Sequence, residues 1–224
     1  MADKDTDDLQ RRISELIIRR FAIGERLPSE KELVAELGVS RPALRECLRA
    51  LEARGIIAAS RGSGRYVQLP DVSDPLIHGW GILLRVRPAL LLQLLEVRKA
   101  LELGFLEAAI KQLQLHDLQL LRDLVERMAA NAARSESFVE EDREFHRILF
   151  SRIDNILLHQ LLKAFWDLFS QANELARTTP EELVHGASLH RKLFEAVLIK
   201  DMELASNYMA EQFLDVHQRL RQSL

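Results

Sequence analysis

The chain has 224 residues, 47% of them hydrophobic and 29% charged, with a formal net charge of −3 and one cysteine, Cys47. That composition supports a packed core rather than disorder, and a lone cysteine excludes an internal disulfide or an all-cysteine metal site. No apolar run approaches the ~20 residues of a membrane span, and the acidic start MADKDTDD lacks a signal segment, so a cytoplasmic protein of one large or two ordinary domains is expected, with no membrane partner.

In chain order, Leu9, Ile13, Leu16, Ile17 and Phe21 form a helical stripe from Asp8 to Phe21. Gly24 and Pro28 interrupt it. Ser29 then opens S-E-K-E, a capping box in which Ser29 and Glu32 bond each other's backbone amides. The helix runs to about Leu37, and Gly38 supplies a turn. Ser40 caps the next helix, whose first turn tolerates Pro42. Leu44, Leu48 and Leu51 form its buried stripe, leaving Arg41, Arg45 and Arg49 on another face, and Gly55 ends it. Ile56 to Ala59 and Arg65 to Leu69 read as short strands around Arg61-Gly62-Ser63-Gly64. Two helices, a tight turn and a glycine-tipped ribbon are the order of a winged helix-turn-helix, which sets its second helix in the DNA major groove.

Charge supports that reading. Residues 1–70 carry 13 Lys/Arg against 11 Asp/Glu, whereas residues 71–224 carry 18 against 23. From Gly38 to Gln68 six arginines face only Glu46 and Glu52. A local basic face serves DNA binding whatever the global sum.

Pro70, Asp71, Asp74 and Pro75 read as a linker over 71–75, between a DNA-binding domain at 1–70 and a second domain at 76–224. Beyond it no strand is expected. Helices are expected near 76–84, 88–113, 117–134, 136–152, 156–177, 181–200 and 202–222, with starts at Asp117, Asn155 and Thr179 or Pro180. The predicted fold is mostly α: an N-terminal winged helix-turn-helix plus a C-terminal all-α antiparallel helical bundle.

The segment PSEKELVAELGVSRPALRECLRALEARGII with SRGSGRYV resembles the GntR-family winged helix. VRKALE, EEDREFHRILF and LHRKLFEAVLIKDMELA resemble the C-terminal (FCD) domain of its FadR-type subfamily. The resemblance implies a homodimeric transcription regulator, of repressor type, on a double-stranded DNA operator. A small organic acid bound in the helical domain would modulate its operator affinity. By position the DNA contacts are Lys31, Ser40, Arg41, Pro42, Arg45, Arg61 and Gly62. Arg41 and Arg45 sit one turn apart at the start of the second helix, the end that reaches base edges. A leucine-rich helix over 88–113 could supply the dimer seam.

Polar residues on apolar stripes mark a second site. Asp142 lies between Phe138 and Phe145, with His146 one turn on. His190 lies with Leu193, Phe194 and Val197; Gln212 with Met209, Phe213 and Val216; Arg98 with Leu94, Leu95, Leu101 and Phe105. Buried charge is costly unless paired or metal-bound, so these residues imply one polar cavity within the bundle. The bland alternative is that both histidines are satisfied core residues and Asp142 pairs with one. The resemblance implies a divalent metal (Zn, Ni or Mn) on one Asp and three His: Asp142, His146 and His190 match, and Gln212 stands at the third-histidine position. Glutamine is a poorer ligand than imidazole, so the pocket could hold metal with water or effector completing the shell, or be metal-free. For the effector, Arg98, Asn155 and Gln212 are candidates. Arg98 could instead pair with Glu102, and Asn155 could cap the next helix. Trp80 and Tyr208 could be pocket walls or ordinary packing residues, and His78, His116, His159, His185 and His217 are read as lying outside the cluster.

The alternative function is a metal-dependent enzyme of helical-bundle type with an accessory nucleic-acid-binding domain. The cluster, however, offers no catalytic base beyond its own ligands. A DNA-bridging protein that senses nothing would leave the buried polar cluster unexplained.

Overall fold

The structure, a computed structural model, describes residues 2–60, 64–175 and 178–223. The chain divides into two compact units between Asp71 and Val72.

In the first unit α1 (Ala2–Arg20), α2 (Glu30–Leu37) and α3 (Arg41–Ala53) precede a two-stranded antiparallel ribbon, β1 (Ile57–Ser60) and β2 (Gly64–Val67), in register Ile57 with Val67 and Ser60 with Gly64. The α1 stripe Leu9, Ile13 and Ile17 closes on Leu44, Cys47, Leu48 and Leu51 of α3 to make the core. The expected caps form. Ser29 Oγ accepts from the Glu32 amide while Glu32 accepts from the Ser29 amide at 2.8 Å. Ser40 Oγ accepts from the Ala43 amide. Gly38 takes φ +66°, the left-handed conformation that ends α2 and starts the turn.

Among its described residues the second unit's elements are all helices: α4 (Ser73–Val86), α5 (Leu90–Gln112), α6 (Leu115–Ala133), α7 (Val139–Phe150), α8 (Ile156–Leu175), α9 (Pro180–Leu198) and α10 (Met202–Ser223). α9 and α10, joined by three residues, pack together; α10 also packs on α5, α6 on both α7 and α9, and α8 on α4 and α7. One core runs through these helices, with Phe145, Phe150 and Phe165 fully enclosed.

Several boundaries differ from expectation: α1 begins at Ala2 rather than at Asp8, and three others follow from local contacts. Ser73, Asp74 and Pro75, expected in a linker, form the first turn of α4. Proline is tolerated there because first-turn amides lack intrahelical partners, and Lys163 of α8 bonds Ser73 Oγ at 2.7 Å and Asp74 at 3.0 Å. α6 begins at Leu115 rather than Asp117. Gln114 is its N-cap, and Asp117, one turn in, accepts from the Gln114 amide at 2.9 Å. α7 begins only at Val139, because Ser135 turns the chain at φ +57°.

Candidate functional site

The first unit presents an exposed polar face. Lys31, Ser40, Arg41, Pro42, Arg45 and Arg49 are all exposed. Arg41 and Arg45, four residues apart at the start of α3, share one side of it. Arg45 Nε donates to Glu30 Oε2 at 2.8 Å, and Arg65 of β2 donates through Nη1 to the other oxygen of Glu30 at 3.1 Å. Arg65 Nε also donates to Glu52 at 2.7 Å. These arginines hold the Glu30 carboxyl below its ordinary pKa, with the Arg45 bond the largest cause. Arg61 and Gly62 lie outside the described residues.

In the second unit a pocket opens between α5, α7, α9 and α10. Its walls include Arg98, Phe138, Asp142, His146, His190, Gln212 and Phe213. The space water can reach is about 70 Å³, room for a few waters or a short organic acid. Asp142 and His146 sit one turn apart on α7, and His190 faces them from α9. Their ligating atoms all lie within 4.8 Å of one another. Phe145 packs edge-on against His190, 5.3 Å between ring centres at 90°, fixing the plane of the imidazole.

Proton positions follow from the partners. His190 Nδ1 lies 2.9 Å from the Gly186 carbonyl, which can only accept, so Nδ1 carries the hydrogen. A neutral His190 then turns the Nε2 lone pair to Asp142 Oδ1, 2.7 Å away, without an aligned hydrogen bond. His146 Nδ1 lies 2.6 Å from Glu102 Oε2 without an aligned hydrogen bond, and its Nε2 faces Asp142 Oδ1 at 3.7 Å. A His190 lone pair aimed at a carboxylate needs a cation: a proton on the ring or a metal between the two groups. One carboxylate, two imidazoles and a neutral amide suit a divalent transition metal with open positions. Asp142 is held well below the ordinary carboxylate range; burial raises its pKa, but His190, His146 and Arg98 together outweigh burial.

Gln212 is buried in this pocket, and neither its Oε1 nor its Nε2 has a hydrogen-bond partner among the described residues. Arg98 pairs with Glu102, Nε to Oε1 at 2.7 Å, and its guanidinium lies over the rings of Phe169 and Phe213. It still lines the pocket, and its Nη atoms make no hydrogen bond among the described residues. Asn155 does not line the pocket. Its Oδ1 accepts from the Leu158 amide at 3.0 Å and caps α8. Trp80 stacks on Phe165, Tyr208 lies beneath Lys192, and the other five histidines are not among the pocket walls.

Sequence reasoning missed the central role of Glu102. This fully buried carboxylate accepts from Arg98 and from Trp166 Nε1 at 3.0 Å, and its other oxygen faces His146. Burial pushes its pKa up, but Arg98 and then His146 hold it low. The oxygen beside His146 stands where a carboxylate would orient that ring if the cluster held a metal. The available signal was its i+4 spacing from Arg98.

Comparison with known proteins agrees with both units. Residues 6–67 match the family described as bacterial regulatory proteins, gntR family, and residues 93–214 match the FCD domain. The chain is 30% identical over 224 residues to the Uxu operon transcriptional regulator of Escherichia coli K12, covering 93% of this chain and 83% of that one. It is 32% identical over 189 residues to the Glc operon transcriptional activator of the same organism, covering 79% and 72%. Among solved structures it is similar to Streptococcus agalactiae GntR, with TM-score 0.69 and 26% identity over 95% of this chain and 99% of that one.

Proposed function

Since the chain belongs to the GntR family of bacterial regulatory proteins and carries an FCD domain as its C-terminal half, we propose that it is a homodimeric repressor whose grip on an operator is set by a small carboxylate in the pocket of the second unit. That it is a DNA-binding transcription regulator follows from the family, and relatives titled as operon regulators leave the enzyme reading without support.

The observation that carries the sensing role is the buried polar pocket with unmet hydrogen-bonding capacity. Asp142, His146 and His190 would hold a divalent metal (Zn, Ni or Mn), with the Gln212 amide oxygen beside them. Such an ion would supply a Lewis-acidic anchor for a carboxylate. The Arg98 guanidinium, fixed by Glu102 and two phenyl rings, offers Nη donors to the same carboxylate. Gln212 Nε2 and Oε1 can donate to and accept from a polar group of the effector. Asn155 is a cap, and we assign it no contact with the effector.

On the DNA side, Arg41 and Arg45 are assigned to base edges, Ser40, Pro42 and Lys31 to the backbone, and Arg61 and Gly62 to phosphates or the minor groove. One winged helix reads a short half-site, so two copies on a pseudo-palindrome are required, with polymerase excluded while they are seated. The effector acts by favouring one placement of the DNA-reading units over another, since only differential affinity shifts such an equilibrium.

The test is Arg45→Ala in the full chain, titrated against a duplex selected from a random library. Loss of preference for that duplex over a scrambled one, with unchanged melting of the helical unit, supports the reading; retained preference removes Arg45 from it.

A further inference from the structure

A third segment of chain flanks the ribbon. Residues 24–27 run antiparallel to β2. The Gly24 amide donates to the Val67 carbonyl at 2.8 Å, the Val67 amide to the Glu25 carbonyl at 2.9 Å, and the Leu27 amide to the Arg65 carbonyl at 2.8 Å. These bonds set Arg26 opposite Tyr66. Directly opposed residues share a face of a sheet, and so do residues two apart along a strand. Arg26, Tyr66 and Gly64 therefore lie on one face of the ribbon. Arg65 lies on the other, where Glu30 and Glu52 hold it.

On its own face Arg26 leans diagonally over Gly64. A Cβ built on Gly64 would fall 2.9 Å from Arg26 Nε and 3.3 Å from Nη2, so the guanidinium rests on a bare glycine α-carbon. The φ of +100° at Gly64 favours glycine independently. This contact restrains a long side chain that would otherwise sample many rotamers. Yet Arg26 is exposed, and its guanidinium makes no hydrogen bond or ion pair among the described residues. Two acids share its open groove, but both are engaged elsewhere: Glu32 by the Ser29 amide and hydroxyl, and Glu36 by Arg20. A cation held in place without a counter-charge suits an anion brought from outside the chain.

The position of Arg26 narrows that anion to DNA phosphate. Residues 61–63 alone join Ser60 to Gly64, so the guanidinium stands beside the ribbon tip. The minor groove is about 6 Å wide and carries a row of phosphates along each rim. A ribbon tip at that groove has one rim beside the recognition helix and one beyond it. The Arg65 face looks toward α2 and α3, through Glu30 and Glu52, and the Arg26 face looks away from them. We propose that Arg26 binds a backbone phosphate on the far rim of the minor groove, outside the bases read by α3. Such a contact adds affinity and lengthens the footprint without reading sequence. The proposal rests on the assignment of the ribbon tip, Arg61 and Gly62, to DNA.

The test uses the purified full-length chain and a duplex selected from a random library by the wild type. The wild type, Arg26→Gln, Arg26→Lys and Arg61→Ala are titrated by anisotropy at several salt concentrations. The targets are the selected duplex, a scrambled one, and selected duplexes trimmed one base pair at a time from their outer ends. Arg26→Gln is expected to weaken binding to the selected and scrambled duplexes by the same factor, about tenfold for two copies. It should also flatten the log–log salt slope by up to about 0.9 for each copy. Trimming should cost the wild type affinity at an outer step that costs Arg26→Gln nothing. Arg26→Lys keeps the charge and should keep the wild-type slope. The proposal is overturned if Arg26→Gln retains the wild-type slope, or if it changes base preference instead of overall affinity. It is overturned equally if Arg26→Gln and Arg26→Lys lower the melting midpoint and weaken binding alike at unchanged slope, because packing on Gly64 then accounts for the residue. If Arg61→Ala leaves affinity and slope at wild-type values, the assignment of the ribbon tip fails and this inference with it.

Discussion

Nε2 of His190 stands 2.7 Å from Oδ1 of Asp142 while the other ring nitrogen of His190 is committed to the Gly186 carbonyl. A neutral imidazole and a carboxylate cannot hold that separation without a cation between them. Removing divalent metal with a chelator is therefore expected to lower the thermal midpoint of the second unit, and adding Zn²⁺, Ni²⁺ or Mn²⁺ to raise it. At a hundredfold excess over Kd the linkage is about 2.7 kcal/mol, on the order of 5–10 °C for a chain of this size. His190→Ala should abolish the metal response. A midpoint indifferent to chelator and metal would show that the cation is a proton.

Gln212 is the departure from a three-histidine set. Gln212→His should restore a third imidazole and tighten metal binding about tenfold or more, measured by competition against a chromophoric chelator. Equal affinity in the two proteins would place residue 212 outside the ligand shell.

Glu102 ties Arg98, Trp166 and His146 to one carboxylate. Glu102→Ala leaves the Arg98 guanidinium buried without its counter-charge and is expected to cost about 3–5 kcal/mol in chemical denaturation. Metal affinity should fall about 10- to 100-fold in whatever fraction remains folded. A loss below about 1 kcal/mol would mean that solvent reaches Arg98.

Asp117 links the start of α6 to Arg152, which bonds it through Nε at 2.9 Å and Nη2 at 3.0 Å. The Arg152 bonds lower its pKa most; burial opposes them, and the Gln114 amide adds to the lowering. A depressed folded-state pKa stabilises the fold above the unfolded carboxyl value near 4, and the benefit disappears as pH falls through the lower folded value. Asp117→Ala should cost about 0.5–2 kcal/mol at pH 7 and progressively less below about pH 4. Equal losses in urea melts at pH 7 and pH 3 would contradict the assignment.

Local chemistry made most of the fold readable from sequence. Ser29 with Glu32 caps the start of α2 and Ser40 the start of α3 through side-chain bonds spanning three residues, and Gly38 turns the chain between the two helices. The stripe on α3 buries as the 3.6-residue period requires. Residues 73–75 were misread because proline and aspartate suit both a linker and a helix's first turn, and the deciding bonds come from Lys163, some 90 residues on. The pocket was legible where a polar residue interrupts an apolar stripe, as with Asp142, His190 and Gln212. Glu102 was legible only as a partner for Arg98 one turn away; its contacts with Trp166 and His146 depend on how α8 and α7 pack. The Glu30 bridge was equally hidden, since residues 30, 45 and 65 meet only after the ribbon folds against the helices.

Occupancy of the second unit's pocket should alter DNA binding by the first. Its most direct test is the Kd of the full-length chain for a library-selected duplex, with and without a small organic acid that raises the protein's thermal midpoint. The expected result is a change of about 5- to 150-fold in Kd, the usual range of coupling between sites, and the reciprocal change in acid affinity when DNA is bound. An acid that stabilises the protein while leaving the duplex Kd unchanged would contradict it.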